Sequence, residues 1–399
     1  SRARPRREMT WPILYAVIFL LAFGLSAALC ALARRVGLRI GLMDRPSGRK
    51  AHAQPVAVTG GWGFFSTFLL LVLAGSLLAG PMAGLLPPGW DEVRRYMANI
   101  AGVRTEILAV LAGATLLFAL GAIDDVRPLG PRLKLTVQVL AVLPLLLAGI
   151  TVRGFLPLPL GWLLSLFWIV LLTNSFNLLD NMDGLSATIA LVICAVLSVA
   201  ALQGGERWLP ALFLCLAGAL AGFLCYNFHP ATIFMGDAGS LVLGYLMGVF
   251  SILVTYYEPS PAIPTGLPIL MPLAIMGVPL FDTLSVIFIR WRTRRPIMQG
   301  DRNHFSHRLL AMGFSVRQAA VAIALLTAAT GLLALPLRRL APGPALLHLL
   351  ALGLLFAVII MLEIAGRRGA MPGTRADLAP NPPAPEHAAL QPGRSDASG

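Results

Sequence analysis

Charge is scarce in this chain: 12% of its 399 residues are Asp, Glu, Lys or Arg, against 57% that are hydrophobic. With a mean hydropathy of +0.79, that balance excludes an ordinary water-soluble globule. Cysteine is scarce as well. Cys30, Cys194, Cys215 and Cys225 all fall within apolar runs and lack metal-ligand spacing, so they read as small buried hydrophobes. The glycines follow neither a P-loop nor a dinucleotide fingerprint. No internal repeat is visible, which argues against a transporter built from paired halves. The net charge of +13 does not call for nucleic acid, because loop Lys and Arg set membrane topology and meet anionic lipid.

What the chain has in abundance is apolar runs near twenty residues long. Eleven can be drawn, at approximately 11–33, 56–79, 106–123, 133–150, 159–178, 185–203, 208–228, 238–257, 266–290, 316–336 and 344–365. They predict an all-α fold, a polytopic integral membrane helical bundle of about 11 transmembrane helices, with a single domain over 11–365. Residues 1–10 read as an N-terminal extension. Residues 366–399, rich in Pro, Ala and Gly, read as a disordered cytoplasmic tail. The first run follows an Arg-rich start but lacks a convincing small-residue cleavage site, so a retained helix is expected there.

These spans sort the loops into two sides. Odd-to-even loops and the C-terminus carry 20 of the 31 Lys and Arg, and the positive-inside rule places that side in the cytoplasm. Arg2, Arg4, Arg6 and Arg7 fit the opposite side badly, which makes Met9 the expected natural start. Mass spectrometry of the native N-terminus checks this; a mature chain beginning upstream of Met9 would refute it.

Five polar islands interrupt the apolar chain: 44–61, 124–134, 174–184, 227–239 and 282–308. They hold eight of its 18 acids, and all five fall on the cytoplasmic side. Acids at membrane depth or at its edge are costly and commonly mark function. Asp124 and Asp125 close the third span. Such a pair can hold Mg²⁺, activate a nucleophile, or only contact Arg127 and Arg132. Asn177, Asp180 and Asp183 are spaced to share one face of a helical turn, or else they cap and punctuate the start of the sixth span. Asp237, between Gly236 and Gly239, sits where a helix N-terminus would meet phosphate, although a cap alone explains it equally. Asp282 lies inside the ninth span, as a substrate group or as the buried partner of an Asn or Arg. His304, His307 and the surrounding arginines suit a nucleotide or phosphate, and no Cys- or Glu-rich set completes a transition-metal site. Arg49, Lys50 and His52 serve a diphosphate or add to the positive-inside charge. His229-Pro230 reads as a turn.

In their order these pieces resemble the polyprenyl-phosphate N-acetylhexosamine-1-phosphate transferase family, over about residues 38–312. The matching segments are DRPSGRKAHAQPVAVTGG, GAIDD, NSFNLLDNMDGLSA, NFHPATIFMGDAGSLVLG, PLFDT and DRNHFSHRLL. RKAH and DRNHFSHRL look most like the enzymes that start O-antigen, teichoic-acid or capsule carriers, ahead of the muramoyl-pentapeptide branch. Two positions depart from the pattern: Ser306 stands where relatives often carry a further His, and Asn181 where Gly is commoner.

The resemblance implies transfer of a sugar-1-phosphate from a UDP-N-acetylhexosamine, chiefly N-acetylglucosamine, to a polyprenyl phosphate such as undecaprenyl phosphate, with release of UMP. It implies Mg²⁺, or Mn²⁺ in its place, at the cytoplasmic face of a bacterial inner membrane. Asp237 would be the first metal ligand, supported by Asp125. Asp124 would deprotonate or orient the lipid phosphate, and direct attack is favoured over a covalent aspartyl intermediate. Asn177, Asp180, Asp183 and Asn227 would line the nucleotide-sugar region; His304, His307 and Arg308 would contact the nucleotide or its phosphates. Arg49, Lys50, His52 and Asp282 complete the substrate-binding set. Membrane lipids are expected partners, nucleic acid is not, and a homodimer is compatible with the scheme.

Overall fold

The computed structural model describes residues 10–44, 55–152, 157–256, 270–294 and 303–369. In chain order the helices are α1 (Thr10–Ile40), α2 (Gly60–Met82), α3 (Asp91–Ala98), α4 (Arg104–Val126), α5 (Pro131–Leu147), α6 (Leu158–Leu179) and α7 (Leu185–Gln203). They continue with α8 (Trp208–Asn227), α9 (Gly236–Tyr256), α10 (Leu270–Ile275), α11 (Gly277–Arg292), α12 (Phe305–Ala311), α13 (Val316–Ala334) and α14 (Pro342–Gly369). The protein is a polytopic helical membrane protein. Among the described residues nine helices are long and apolar enough to cross a bilayer.

The expected count of eleven is not confirmed, and the fourth and ninth runs are the two that fall outside these nine. The fourth span becomes α5, whose 17 residues rise about 26 Å, short of a hydrocarbon core of about 30 Å. It ends in a turn at Gly149, whose φ is +80°. The ninth span divides at Met276 into α10 and α11. Pro279 has no N–H to return to the preceding turn, so the helix restarts with Pro279 in its first turn, where proline is tolerated. The purely α expectation needs one amendment. Met43–Asp44 (β1) pairs antiparallel with Val56–Ala57 (β2), and Ala57 bridges to Ile233 in parallel. The helix α14 also runs to Gly369, past the expected start of the tail at 366.

Helix α9 is the hub. It is apolar on every side, and the whole of its spanning window is buried. A helix of that kind needs neighbours all round. They are chiefly α4 and α6, with α2 and α7 also in contact. Around this centre α1 packs on α8, and α8 on α7. The outermost helix, α14, is the reverse case: only 11% of its spanning window is buried. Apolar side chains such as Leu346, Leu350, Leu354 and Met361 are left outward, as expected for a lipid-facing helix. Because α9 is fixed from all sides, the group at its first turn, Asp237, is placed by the most constrained element of the fold.

Candidate active site

The site begins with two helix ends that meet. Asp124 and Asp125 lie in the last turn of α4, where a carboxylate opposes the helix dipole. Asp125 is satisfied by another helix: its two oxygens accept the amides of Asp237 (2.7 Å) and Ala238 (3.1 Å), the first turn of α9. Those amides have no intrahelical partner, and a negative charge beside them is favourable. Close approach is essential to this contact. A Cβ at Gly121 would lie 2.3 Å from the Asp237 carbonyl oxygen. One at Gly236, where φ is +72°, would lie 2.7 Å from the Asp125 Oδ2. Asp125, expected as a metal ligand, therefore already has both oxygens on the backbone that positions Asp237.

The side chains of Asp124 and Asp237 are joined by Lys134 from α5. Its ammonium lies 2.5 Å from Asp124 Oδ2 and 2.7 Å from Asp237 Oδ2. Asp124 Oδ1 accepts the Leu129 amide at 2.7 Å, which ties the α4–α5 turn to the same group. From α6, the Asn177 side-chain amide donates to Asp237 Oδ1 (3.1 Å) and to Ser240 Oγ (2.8 Å). Asp180 caps α6 and is half-buried. Burial first, then the negative charges of Asp237, Asp125 and Asp183, push its carboxyl up to about 8 from an ordinary 3.8. The resulting cluster is rich in oxygen and short of positive charge.

A second set of contacts holds the loops around this cluster. Asp183 Oδ2 accepts from the His229 ring (2.8 Å) and the Ala231 amide (3.0 Å), so it fastens the α8–α9 loop. Asn227 is 3% exposed; it accepts the Gly184 amide and donates to the Ile233 carbonyl. Both were expected to line the nucleotide sugar. Their polar atoms join two site loops, because a buried amide or carboxylate must find protein partners.

The third set carries the histidines. Asp282 is 1% exposed and accepts from His304 Nδ1 (2.8 Å) and from the Phe305 amide (2.6 Å), at the start of α12. The buried-partner reading of Asp282 is therefore the one observed, with a histidine as the partner. With Nδ1 donating, Nε2 is the ring nitrogen left for other chemistry. The His307 ring lies 6.5 Å away and is half-buried. Arg308 is buried, ion-paired with Glu363 of α14 (3.1 Å), bonded to Ser285 Oγ (2.9 Å), and flanked by the rings of Phe281 and Phe305. Those contacts anchor α12 to the outer helices. Arg49, Lys50 and His52 lie outside the described residues.

A glycosyl transferase family 4 profile matches residues 107–255. A probable undecaprenyl-phosphate N-acetylglucosaminyl 1-phosphate transferase of Bacillus subtilis is 31% identical over 358 residues, covering 87% of this chain and 90% of that protein. The chain belongs to glycosyl transferase family 4. The resemblance read from its motifs is borne out. A decaprenyl-phosphate N-acetylglucosaminephosphotransferase of Mycolicibacterium smegmatis is 32% identical, over 73% of this chain and 74% of the relative. A phospho-N-acetylmuramoyl-pentapeptide-transferase of Desulforudis audaxviator is also 32% identical, over 69% and 83%.

In this family 4 site, one central residue was not singled out from the sequence. In the sequence Lys134 counts only as one of the basic loop residues that set topology. The signal was its rarity: of the 31 basic residues only Lys50 and Lys134 are lysines. Ser240, which anchors Asn177, carried no comparable signal. Among the described residues no three His, Cys, Asp or Glu side chains form a ready-made metal cage. Mg²⁺ does not require one, since it commonly takes one or two carboxylates and completes its shell with water and substrate phosphates. The donors present are hard oxygens, and an ammonium already bridges Asp124 and Asp237, marking where positive charge is most in demand. The residues fit a hard divalent cation.

Proposed function

We propose that this protein transfers N-acetylglucosamine-1-phosphate from UDP-N-acetylglucosamine to a polyprenyl phosphate at the cytoplasmic face of a bacterial inner membrane, releasing UMP. The observation that carries the reading is the Asp124–Lys134–Asp237 bridge at the end of the fully buried helix α9. It sets a cation and a carboxylate-rich, oxygen-lined cluster where a soluble nucleotide and a lipid phosphate can both arrive. The names and coverage of the relatives support the N-acetylglucosamine donor. The excess of Lys and Arg on the side bearing the islands supports the cytoplasmic orientation.

The bond changes are simple. An oxygen of the lipid phosphate attacks the β-phosphorus of the UDP-sugar, the bond from that phosphorus to the bridging oxygen breaks, and UMP leaves with the electron pair. A phosphate monoester with a second pKa near 6 is already largely dianionic at neutral pH, so no strong base is needed. Asp124 then acts by holding the Lys134 ammonium in place, with Lys134 drawing phosphate oxygens into line. Asp237 and Asp180 would hold Mg²⁺, while Asp125 fixes the backbone beneath Asp237. Bound Mg²⁺ would neutralise the diphosphate and stabilise UMP as it departs. His304 and His307 would contact the nucleotide, with Asp282 setting the tautomer of His304.

The test uses purified protein, polyprenyl phosphate and Mg²⁺, offered in turn UDP-N-acetylglucosamine, UDP-N-acetylgalactosamine and UDP-N-acetylmuramoyl-pentapeptide. The expected result is UMP formed in step with a lipid-linked product, fastest with the first donor. Turnover of the pentapeptide donor alone would move the protein to the sister branch; no turnover with any donor would sink the proposal.

A further inference from the structure

The two positions at which the chain departs from its family's pattern touch each other. Ser306 Oγ donates to Asn181 Oδ1 at 2.6 Å, and the Asn181 side-chain amide donates onward to the Leu178 carbonyl at 2.8 Å. Ser306 is 1% exposed and lies on α12 between His304 and His307; Asn181 lies between Asp180 and Asp183. Among the described residues, the start of α12 is tied through His304, Ser306 and Arg308. Asp282 sets the His304 ring, and Arg308 binds the helix outward to α11 and α14. Of the three, only the Ser306 bond runs across to the acid-bearing turn.

We infer that Asn181 and Ser306 form a clasp that fixes the histidine-bearing helix α12 against the 180–184 turn and so positions His304 and His307 for the nucleotide sugar. The part concerning substrate rests on the proposed function. The Ser306 hydroxyl is sealed from water, so losing either side chain breaks a bond that solvent does not replace and loosens α12 on the acid side while its outer tie remains. The pair acts through position and contributes no atom to the reaction. An imidazole is also much larger than the buried hydroxymethyl group it would replace. Ser306→His alone should therefore push α12 away from Asn181, and pairing it with Asn181→Gly should relieve the crowding.

Full-length Asn181→Ala, Ser306→Ala and the double variant are compared by hydrogen–deuterium exchange and by steady-state kinetics. Asn181→Ala is expected to speed exchange across 303–311. Each single variant should raise KM for UDP-N-acetylglucosamine about five-fold, the scale of one buried neutral hydrogen bond, and leave KM for polyprenyl phosphate in place. The double variant should be no worse than the worse single one, because both remove the same bond. Ser306→Thr, which keeps the hydroxyl, should recover most of the loss. Unchanged exchange in α12, equal shifts in both KM values, or losses that add in the double variant would each overturn the clasp. If the wild-type protein turns over no UDP-sugar while Asn181→Ala still loosens α12, the clasp stands and the proposed function falls.

Discussion

Asp237 and Asp124 do different work although one ammonium joins them. Asp237 is held on the most buried helix with its oxygens facing Lys134 and Asn177, whereas Asp124 has one oxygen on a backbone amide and the other on Lys134. Replacing either with Ala should lower kcat by about 100- to 1,000-fold, the range for losing one preorganised electrostatic contact. Membrane insertion should be preserved, and near-normal turnover in a variant would refute the role given to that residue. Asp180 gives a pH-dependent prediction. Its folded pKa of about 8 exceeds the ordinary 3.8, so the folded protein binds a proton that the unfolded chain releases. That contribution to stability is complete at low pH and is lost as pH rises toward 8. Without divalent cation, the thermal midpoint should fall from pH 6 to pH 8, and Asp180→Asn should flatten the trend. Cation affinity should rise over the same interval, since binding favours the ionised carboxylate. Calorimetry with and without Mg²⁺ reads both effects.

The junction of α4 with α9 separates a structural acid from a reacting one. Asp125 caps amides that would otherwise be stranded, so Asp125→Ala should destabilise the protein by about 1–3 kcal/mol. Asp125→Asn, which keeps one acceptor oxygen, should fall between, as denaturation in detergent would reveal. Equal stability of all three proteins, with activity alone lost, would return Asp125 to the metal. This distinction was not legible in the sequence, where a DD pair looks the same whether its oxygens meet a cation or a helix end. The helical spans were legible, because twenty apolar residues admit few alternatives in a membrane. Their interruptions were less so: Pro272, Gly277 and Pro279 were tolerable inside one long span, and only packing reveals the break at Met276. The ion pair of Arg308 was hidden for a similar reason, since an arginine beside histidines in a basic island gives no sign of Glu363 some fifty residues on.

Across the molecule, all the described contacts of the predicted site fall at one end of the bundle, joined by hydrogen bonds that cross from island to island. The sequence made that convergence readable through loop parity and charge. It could not say which polar side chains would be spent on holding loops together, because Asp183 and Asp282 differ from Asp180 only in what folding brings beside them, and the amide of Asn227 serves the same end. The central claim is that phosphorus moves with the sugar, and one isotopic measurement tests it most directly. UDP-N-acetylglucosamine labelled on its β-phosphorus is supplied with unlabelled polyprenyl phosphate and the purified protein. The account predicts that the label enters the lipid-linked product and is absent from the released UMP. Label recovered in released UDP, with an unlabelled glycolipid, would show transfer of the sugar alone and contradict it.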